Sequence, residues 1–212
     1  MKKETNHKGE TSLNLPSKPL LIVLSGPSGA GKDTILSRME KSGYPIEFIT
    51  TVTTRPRRAK EKNSVDYHFV SEEIFQKMLK KNELLEWANV YGKWYGVPKA
   101  PVKRALEQGR DVIVKVDIQG AATIKKIMPQ AVFIFVAPPS MEELTARLKG
   151  RQTESNLECD LRLKTAKEEM KKLPLFDYMV VSRRGEIDQA VSEIEAIITA
   201  EKHRVKPREI SL

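Results

Sequence analysis

Short apolar runs alternate with amphipathic stretches along most of this chain. The runs consist mainly of Val, Ile, Leu and Phe and predict buried strands at residues 20–24, 111–117, 131–136 and 178–181. Helical spacing of apolar residues and capping residues predict helices at residues 32–42, 98–108, 120–127 and 187–203, with further helices after Ser140 and up to about residue 172. Strands that alternate with helices indicate an α/β fold in which helices flank a parallel sheet on both faces.

A different pattern occupies residues 51–97. Residues 66–70 alternate like a strand, Ser71 caps an amphipathic helix, and residues 84–97 predict a hairpin turned at Tyr91-Gly92. We therefore expect a small α+β insertion here. The predicted core comprises residues 19–50 and 98–204, with a flexible basic leader at residues 1–18 and a C-terminal tail at residues 205–212.

Composition and charge narrow the class of protein. The 212 residues are 40% hydrophobic and 31% charged, which is typical of a globular protein. The chain shows no apolar run of transmembrane length and no secretory signal, so we expect no membrane partner. Its single cysteine, Cys159, cannot form an internal disulfide, so we expect a cytoplasmic protein. The net charge of +9 favours anionic ligands, but the 6% aromatic content and the lack of an arginine–aromatic stacking pattern argue against nucleic acid.

The stretch between the first strand and the first helix predicts a phosphate-binding P-loop. Its glycines allow the backbone amides to turn inward, and a lysine follows at the start of the helix. The candidate ATP-binding residues are Gly26, Pro27, Ser28, Gly29, Ala30, Gly31, Lys32, Asp33 and Thr34. A glycine turn before an ordinary helix is the simpler alternative.

A second candidate anion site lies in the basic segment of residues 51–61, which combines threonines with Arg55, Arg57 and Arg58. Guanidinium groups bind phosphate oxygens in pairs, so this segment suits a second phosphate. A solvated basic loop is the alternative that the residues alone leave open.

The order of several motifs resembles the guanylate kinases, which phosphorylate GMP from ATP. The matching motifs are residues 25–32, 53–55, 66–67, 86–88, 95–96, 117–120, 138–140, 147–148 and 150–151, with Arg58 and Glu61. The resemblance covers residues 19–204. It implies a P-loop kinase fold with a GMP-binding insertion, a lid at about residues 149–158, ATP and GMP as substrates, and Mg²⁺ as the cofactor bound with ATP.

The resemblance also implies roles for individual residues. The implied GMP-binding residues are Thr51, Arg55, Arg58, Tyr67, Glu86, Tyr95 and Asp117. The implied catalytic cations, which neutralise the transferring phosphoryl group, are Lys32, Arg147, Arg151 and Arg162. Glu86 matches the carboxylate that accepts hydrogen bonds from guanine. Adenine has no equivalent pair of donors, so AMP would leave this carboxylate unpaired.

Departures from the family pattern motivate a hypothesis about charge. Asp33 replaces the Ser or Thr that follows the P-loop lysine, and Lys115 stands where the family commonly has an acid. We hypothesise that Asp33 and Lys115 form an ion pair. No cluster suggests a metal held by protein alone, so Mg²⁺ is expected with ATP, near Asp33. Gln152 in the lid and residues 182–184 near the expected adenine pocket also depart from the pattern.

Two other functions remain open at this point. One is a non-catalytic guanylate-kinase-like module that binds phosphopeptides; Asp33 favours it, and the intact glycines and Lys32 oppose it. The other is a kinase of another nucleoside monophosphate such as AMP or dTMP, which Glu86 and Thr51 oppose. The sequence leaves the oligomeric state open.

Overall fold

Five parallel strands form the central sheet of the computed structural model, which describes residues 18–59, 61–150 and 156–210. The strands are β1 (Leu21–Ser25), β2 (Glu47–Ile49), β7 (Val112–Lys115), β8 (Val132–Ala137) and β9 (Tyr178–Val181). Their order is β2-β7-β1-β8-β9, and every neighbouring pair is parallel. The carboxyl ends of all five strands therefore meet at one edge, where open α/β sheets bind ligands.

Helices cover both faces of this sheet, as the apolar pattern predicts. They are α1 (Lys32–Lys41), α3 (Lys99–Glu107), α4 (Ile118–Ile127), α5 (Met141–Lys149), α6 (Asn156–Met170) and α7 (Ile187–Lys202), with a short 3₁₀ helix at Leu173–Leu175. Alternate residues of β1 enter different cores: Ile22 packs with residues of α1 and α7, whereas Val23 packs with residues of α3 and α4. This division follows from the two-residue period of a strand.

The second sheet and the helix that accompanies it consist of β3 (Val52–Thr53), β4 (His68–Phe69), α2 (Glu72–Lys80), β5 (Leu84–Val90) and β6 (Lys93–Pro98). The order of its four strands is β4-β3-β6-β5. The predicted hairpin is confirmed, and both turn residues have positive φ, 51° at Tyr91 and 75° at Gly92. β3 lies at the start of the basic segment of residues 51–61 and pairs with β6, a long-range partner that its local sequence does not indicate.

A buried carboxylate attaches the residues after α7 to the sheet. Glu201 is 2% exposed and accepts hydrogen bonds from Arg208 at 2.8 Å and from the hydroxyl of Tyr178 at 2.6 Å. Arg208 also donates to the carbonyl of Ala131 at 3.0 Å. The hydrogen bond from Arg208 lowers the pKa of Glu201 to about 2. Within the described ranges, the chain has no helix of the length and apolar character needed to cross a bilayer.

Replacing Arg208 by Met is expected to destabilise the fold by about 2 kcal/mol at neutral pH, because a buried carboxylate loses its main partner. Urea unfolding measures this change. The folded pKa of Glu201 lies below its ordinary 4.5, so the difference from the wild type should shrink as the pH falls from 4.5 toward 2. Arg204→Met is the control, since this arginine lies 3.4 Å from Glu201 and is half exposed. An equal loss in both variants would contradict the prediction.

Candidate nucleotide site

The loop between β1 and α1 has the backbone geometry of a P-loop. Gly26, Gly29 and Gly31 have φ values of 144°, 88° and 105°, which other residues rarely adopt. A Cβ atom at Gly26 would lie 2.1 Å from the carbonyl oxygen of Val136, and one at Gly31 would lie 2.6 Å from the Oγ of Ser182. Glycine is thus required at position 26 by the close backbone of β8 as well as by φ, whereas at position 31 the positive φ is the stronger reason, because the neighbouring atom belongs to a side chain.

Lys32 folds back over this loop. Its Nζ donates to the carbonyl oxygen of Pro27 at 3.0 Å and to that of Gly26 at 2.5 Å. Burial lowers the pKa of Lys32, while the neighbouring carboxylates of Asp33 and Glu169 oppose that shift. The ammonium group therefore lies against the backbone at the start of the loop. A phosphate group bound by the loop would replace its two carbonyl contacts.

Glu169 is a site residue that the sequence analysis missed. It lies on α6, lines the same cavity as Lys32, and burial raises its pKa to about 7 although Lys32 opposes the shift. No local motif marks this glutamate, because α6 carries acidic and basic residues along its whole length. Only the packing of α6 against the loop brings it to the site.

The basic segment of residues 51–61 is ordered around Glu61. Arg55 donates to both carboxylate oxygens of Glu61, at 2.8 and 3.0 Å, and the backbone amide of Arg58 donates to the same side chain at 2.8 Å. The guanidinium carbon of Arg55 lies 5.4 Å from the ring centroid of Tyr67, whose ring is 6.0 Å from that of Tyr95. Arg55 is thus held by Glu61 next to two tyrosines, whereas residues 56–59 are exposed, so the alternative of a solvated loop stays open for that part of the segment.

Glu86 on β5 is the most unusual carboxyl group of the site. It is 4% exposed, and its Oε2 atom makes no hydrogen bond to the described residues. Burial, with a smaller contribution from Asp117, raises its pKa to about 8. A buried polar atom without a partner is costly, so an oxygen in this position is suited to a ligand that donates hydrogen bonds.

Two further predicted residues lie beside Glu86 at the edge of the main sheet. Thr51 donates through Oγ1 to the carbonyl oxygen of Lys115 at 3.2 Å. Asp117 caps α4 by accepting from the amide of Gly120 at 2.8 Å, and burial raises its pKa. Asp117 therefore has a structural contact in addition to its place in the site.

The hypothesis of an ion pair between Asp33 and Lys115 is confirmed. Lys115 Nζ donates to Asp33 Oδ1, and the two side chains are 14% and 69% exposed respectively. The pair joins the end of β7 to the first turn of α1. The Asp33 carboxylate, which directly follows the P-loop lysine, therefore points toward the Lys115 ammonium.

Two of the remaining predicted arginines contact the P-loop. Arg147 donates to the carbonyl oxygens of Ala30 at 3.3 Å and Ser182 at 2.6 Å, and Arg162 donates to the Oγ of Ser28 at 3.1 Å. Arg151 and residues 152–155 of the predicted lid at residues 149–158 lie outside the described residues.

Two cavities meet at the loop. The larger, about 740 Å³, is lined by Gly29, Gly31, Lys32, Asp33, Thr34, Arg147 and residues 182–185 among others. The smaller, about 180 Å³, is lined by Gly26, Ser28, Arg162, Glu169 and all seven predicted GMP-binding residues among others. Lys32 and Asp33 line both, whereas Pro27 and Ala30 line neither. The predicted residues are thus divided between two adjoining spaces that share the P-loop lysine.

A parallel sheet, a P-loop at its carboxyl edge and a second cationic cavity define a P-loop nucleotide-binding protein. The family model described as guanylate kinase matches residues 18–201. The chain is 41% identical to "Guanylate kinase 2, chloroplastic/mitochondrial" of Oryza sativa over 93% of its length and 70% of that protein. It is 45% identical to a guanylate kinase of Caldanaerobacter subterraneus over 91% of its length and 93% of that protein.

A solved structure gives the same result. The crystal structure of guanylate kinase from Anaplasma phagocytophilum matches with a TM-score of 0.71 at 31% identity, covering 89% of each chain. The chain belongs to the guanylate kinase family. The fold and the family expected from the sequence are therefore confirmed.

Ionisation of Glu86 should cost stability when no ligand is bound, because its folded pKa of about 8 exceeds its ordinary 4.5. Glu86→Gln is expected to raise the Tm by roughly 3 °C or more at about pH 9. The gain should be much smaller at about pH 5, where the wild-type carboxyl group is protonated. Calorimetry at both values measures it, with the half-exposed Glu83→Gln as the control. A pH-independent gain would contradict this account.

Proposed function

We propose that this chain transfers the γ-phosphoryl group of ATP, bound with Mg²⁺, to GMP and releases ADP and GDP. The observation that carries the choice of acceptor is the buried Oε2 of Glu86, which has no hydrogen-bond partner in the described part of the chain and lies in a cavity lined by Arg55 and Lys32. Membership of the guanylate kinase family supports the same acceptor.

Glu86 has the chemistry to select guanine. The guanine N1–H and exocyclic amine present two donors side by side, and a carboxylate accepts both. These donors stabilise the charged form of Glu86 and lower the pKa that burial has raised. AMP offers no such donor pair, so its binding would leave the buried carboxyl group unsatisfied.

The acceptor phosphate is placed by the cationic segment of the insertion. Glu61 fixes the guanidinium of Arg55 before substrate arrives, so little rotamer freedom is lost on binding. The hydroxyls of Tyr67 and Tyr95, which line the same cavity, donate to the phosphate. Arg58 adds a second guanidinium at the rim of this cavity.

Transfer of the phosphoryl group depends on position and charge neutralisation. The acceptor phosphate is itself an anionic nucleophile, so no general base is required. Lys32 and the loop amides hold the donor phosphates, while Arg147 and Arg162 approach the loop from α5 and α6. These cations stabilise negative charge that spreads over the transferring group.

The metal is expected to arrive on the nucleotide. Among the described residues there is no group of three or more His, Cys, Asp and Glu side chains that could hold an ion. Phosphate oxygens and water satisfy most of the coordination that Mg²⁺ prefers, and the bound ion supplies charge neutralisation. Asp33 lines both cavities as a nearby hard oxygen ligand, but it is paired with Lys115.

The acceptor panel is the direct test of this proposal. ADP production from ATP is expected to be fast with GMP and at least about 100-fold slower, in kcat/KM, with AMP, dTMP or UMP. Faster turnover of AMP or dTMP would show a kinase of another nucleotide. A purified, folded protein that binds GMP but turns over none of the four would instead be a binding module.

Glu86→Gln is expected to lower kcat/KM for GMP by roughly 100-fold, because one of the two guanine donors then faces an amide N–H. Steady-state kinetics with saturating ATP measures the change. Glu83→Gln, a half-exposed glutamate near the start of the same strand, should leave the rate unchanged. A loss below about threefold in Glu86→Gln would remove this residue from guanine recognition.

A further inference from the structure

Lys115 lies where the central sheet, the first turn of α1 and the insertion meet. It is the last residue of β7 and pairs in register with Leu24 of β1, immediately before the P-loop. Its side chain is 14% exposed, and its ammonium lies 4.1 Å from the ring centroid of Tyr67. A residue of the core sheet therefore contacts both the first turn of α1, through Asp33, and the insertion.

The surroundings keep this ammonium charged. Burial acts to lower the pKa of Lys115, but the carboxylate of Asp33 and the neighbouring Tyr67 outweigh it and raise the pKa above its ordinary value. Lys115 also lines the smaller cavity together with Arg55, Arg58 and Tyr67. A buried, permanent positive charge in that company is suited to a phosphate dianion.

We propose that Lys115 is an additional binding residue for the acceptor phosphate, and that Asp33 competes with this phosphate for its ammonium group. The inference rests on the proposed function, since it requires GMP in the smaller cavity. Tyr67, which the proposed function assigns to the acceptor phosphate, lies next to the Lys115 ammonium, and Arg55 lines the same cavity.

Because the two partners differ in exposure, we expect the free-energy cost of this exchange to be small. Asp33 is 69% exposed, so water solvates its carboxylate when the ammonium turns away. Lys115 is largely buried and needs an anionic partner in either arrangement. The pair thus holds Lys115 close to its ligand in the absence of GMP, at the cost of some affinity for it.

Binding of GMP and of guanosine, measured by calorimetry without ATP, separates phosphate contacts from base contacts. Lys115→Met is expected to weaken GMP binding about tenfold and to leave guanosine binding unchanged. Lys115→Arg should retain most of the affinity because it keeps the charge. Lys125→Met is the matched control: this lysine pairs with Asp177 at 2.9 Å and lies 4.3 Å from the ring centroid of Phe133, away from both cavities.

A double-mutant cycle tests the competition. Asp33→Asn is expected to tighten GMP binding about threefold in the wild-type background, and this gain should largely disappear in the Lys115→Met background. An equal gain in both backgrounds would show that Asp33 acts directly on the phosphate, which overturns the competition.

The outcomes for the proposed function and for this inference differ. A wild-type protein that binds no GMP refutes the function, and the inference with it. A wild-type protein that binds GMP normally, with unchanged affinity in folded Lys115→Met, refutes only the role of Lys115. Circular dichroism of each variant establishes that it is folded before binding is measured.

Discussion

Repulsion between phosphate groups is the constraint that this site has to overcome. Two anionic groups must approach to bonding distance, and at a few ångströms their repulsion in a partly buried cleft amounts to several kcal/mol. In the proposed site, cations from separate elements converge to offset this repulsion. Lys32 comes from the start of α1, Arg55 from the insertion, Lys115 from β7 and Arg147 from α5. The parallel sheet makes the convergence possible, because β1 and β7 end at the same edge.

Each of these cations already has a partner inside the protein. Lys32 donates to loop carbonyls, Arg55 to Glu61, Lys115 to Asp33, and Arg147 to the carbonyl of Ser182. Such contacts keep like charges from repelling one another in the folded chain and fix side chains that are otherwise mobile. A phosphate group also has to bind each cation more strongly than the internal acceptor that it displaces. The same contacts therefore preorganise the proposed site and lower its affinity for phosphate.

Acidic groups among these cations give the site a charge that depends on pH. Burial raises the pKa of Glu86 to about 8 and that of Glu169 to about 7, so both are partly or largely protonated near neutrality. Glu86 lies within the insertion and Glu169 lies near the P-loop lysine, so we expect the two groups to respond to different ligands. A guanine base favours the charged form of the first, whereas nearby phosphate would favour the neutral form of the second.

The sequence by itself determined the elements, the P-loop, the family and the candidate residues, because hydrophobic period, turn glycines and motif order are local properties. It also motivated the hypothesis that Asp33 pairs with Lys115, from two departures of opposite charge, and the structure confirmed that contact. Only the tertiary structure decided that Val52–Thr53 forms a strand, that the charge of Glu169 acts on Lys32, and that Glu201 forms an ion pair with Arg208. These depend on partners far away along the chain, and the free energy of such contacts exists only after packing brings the elements together.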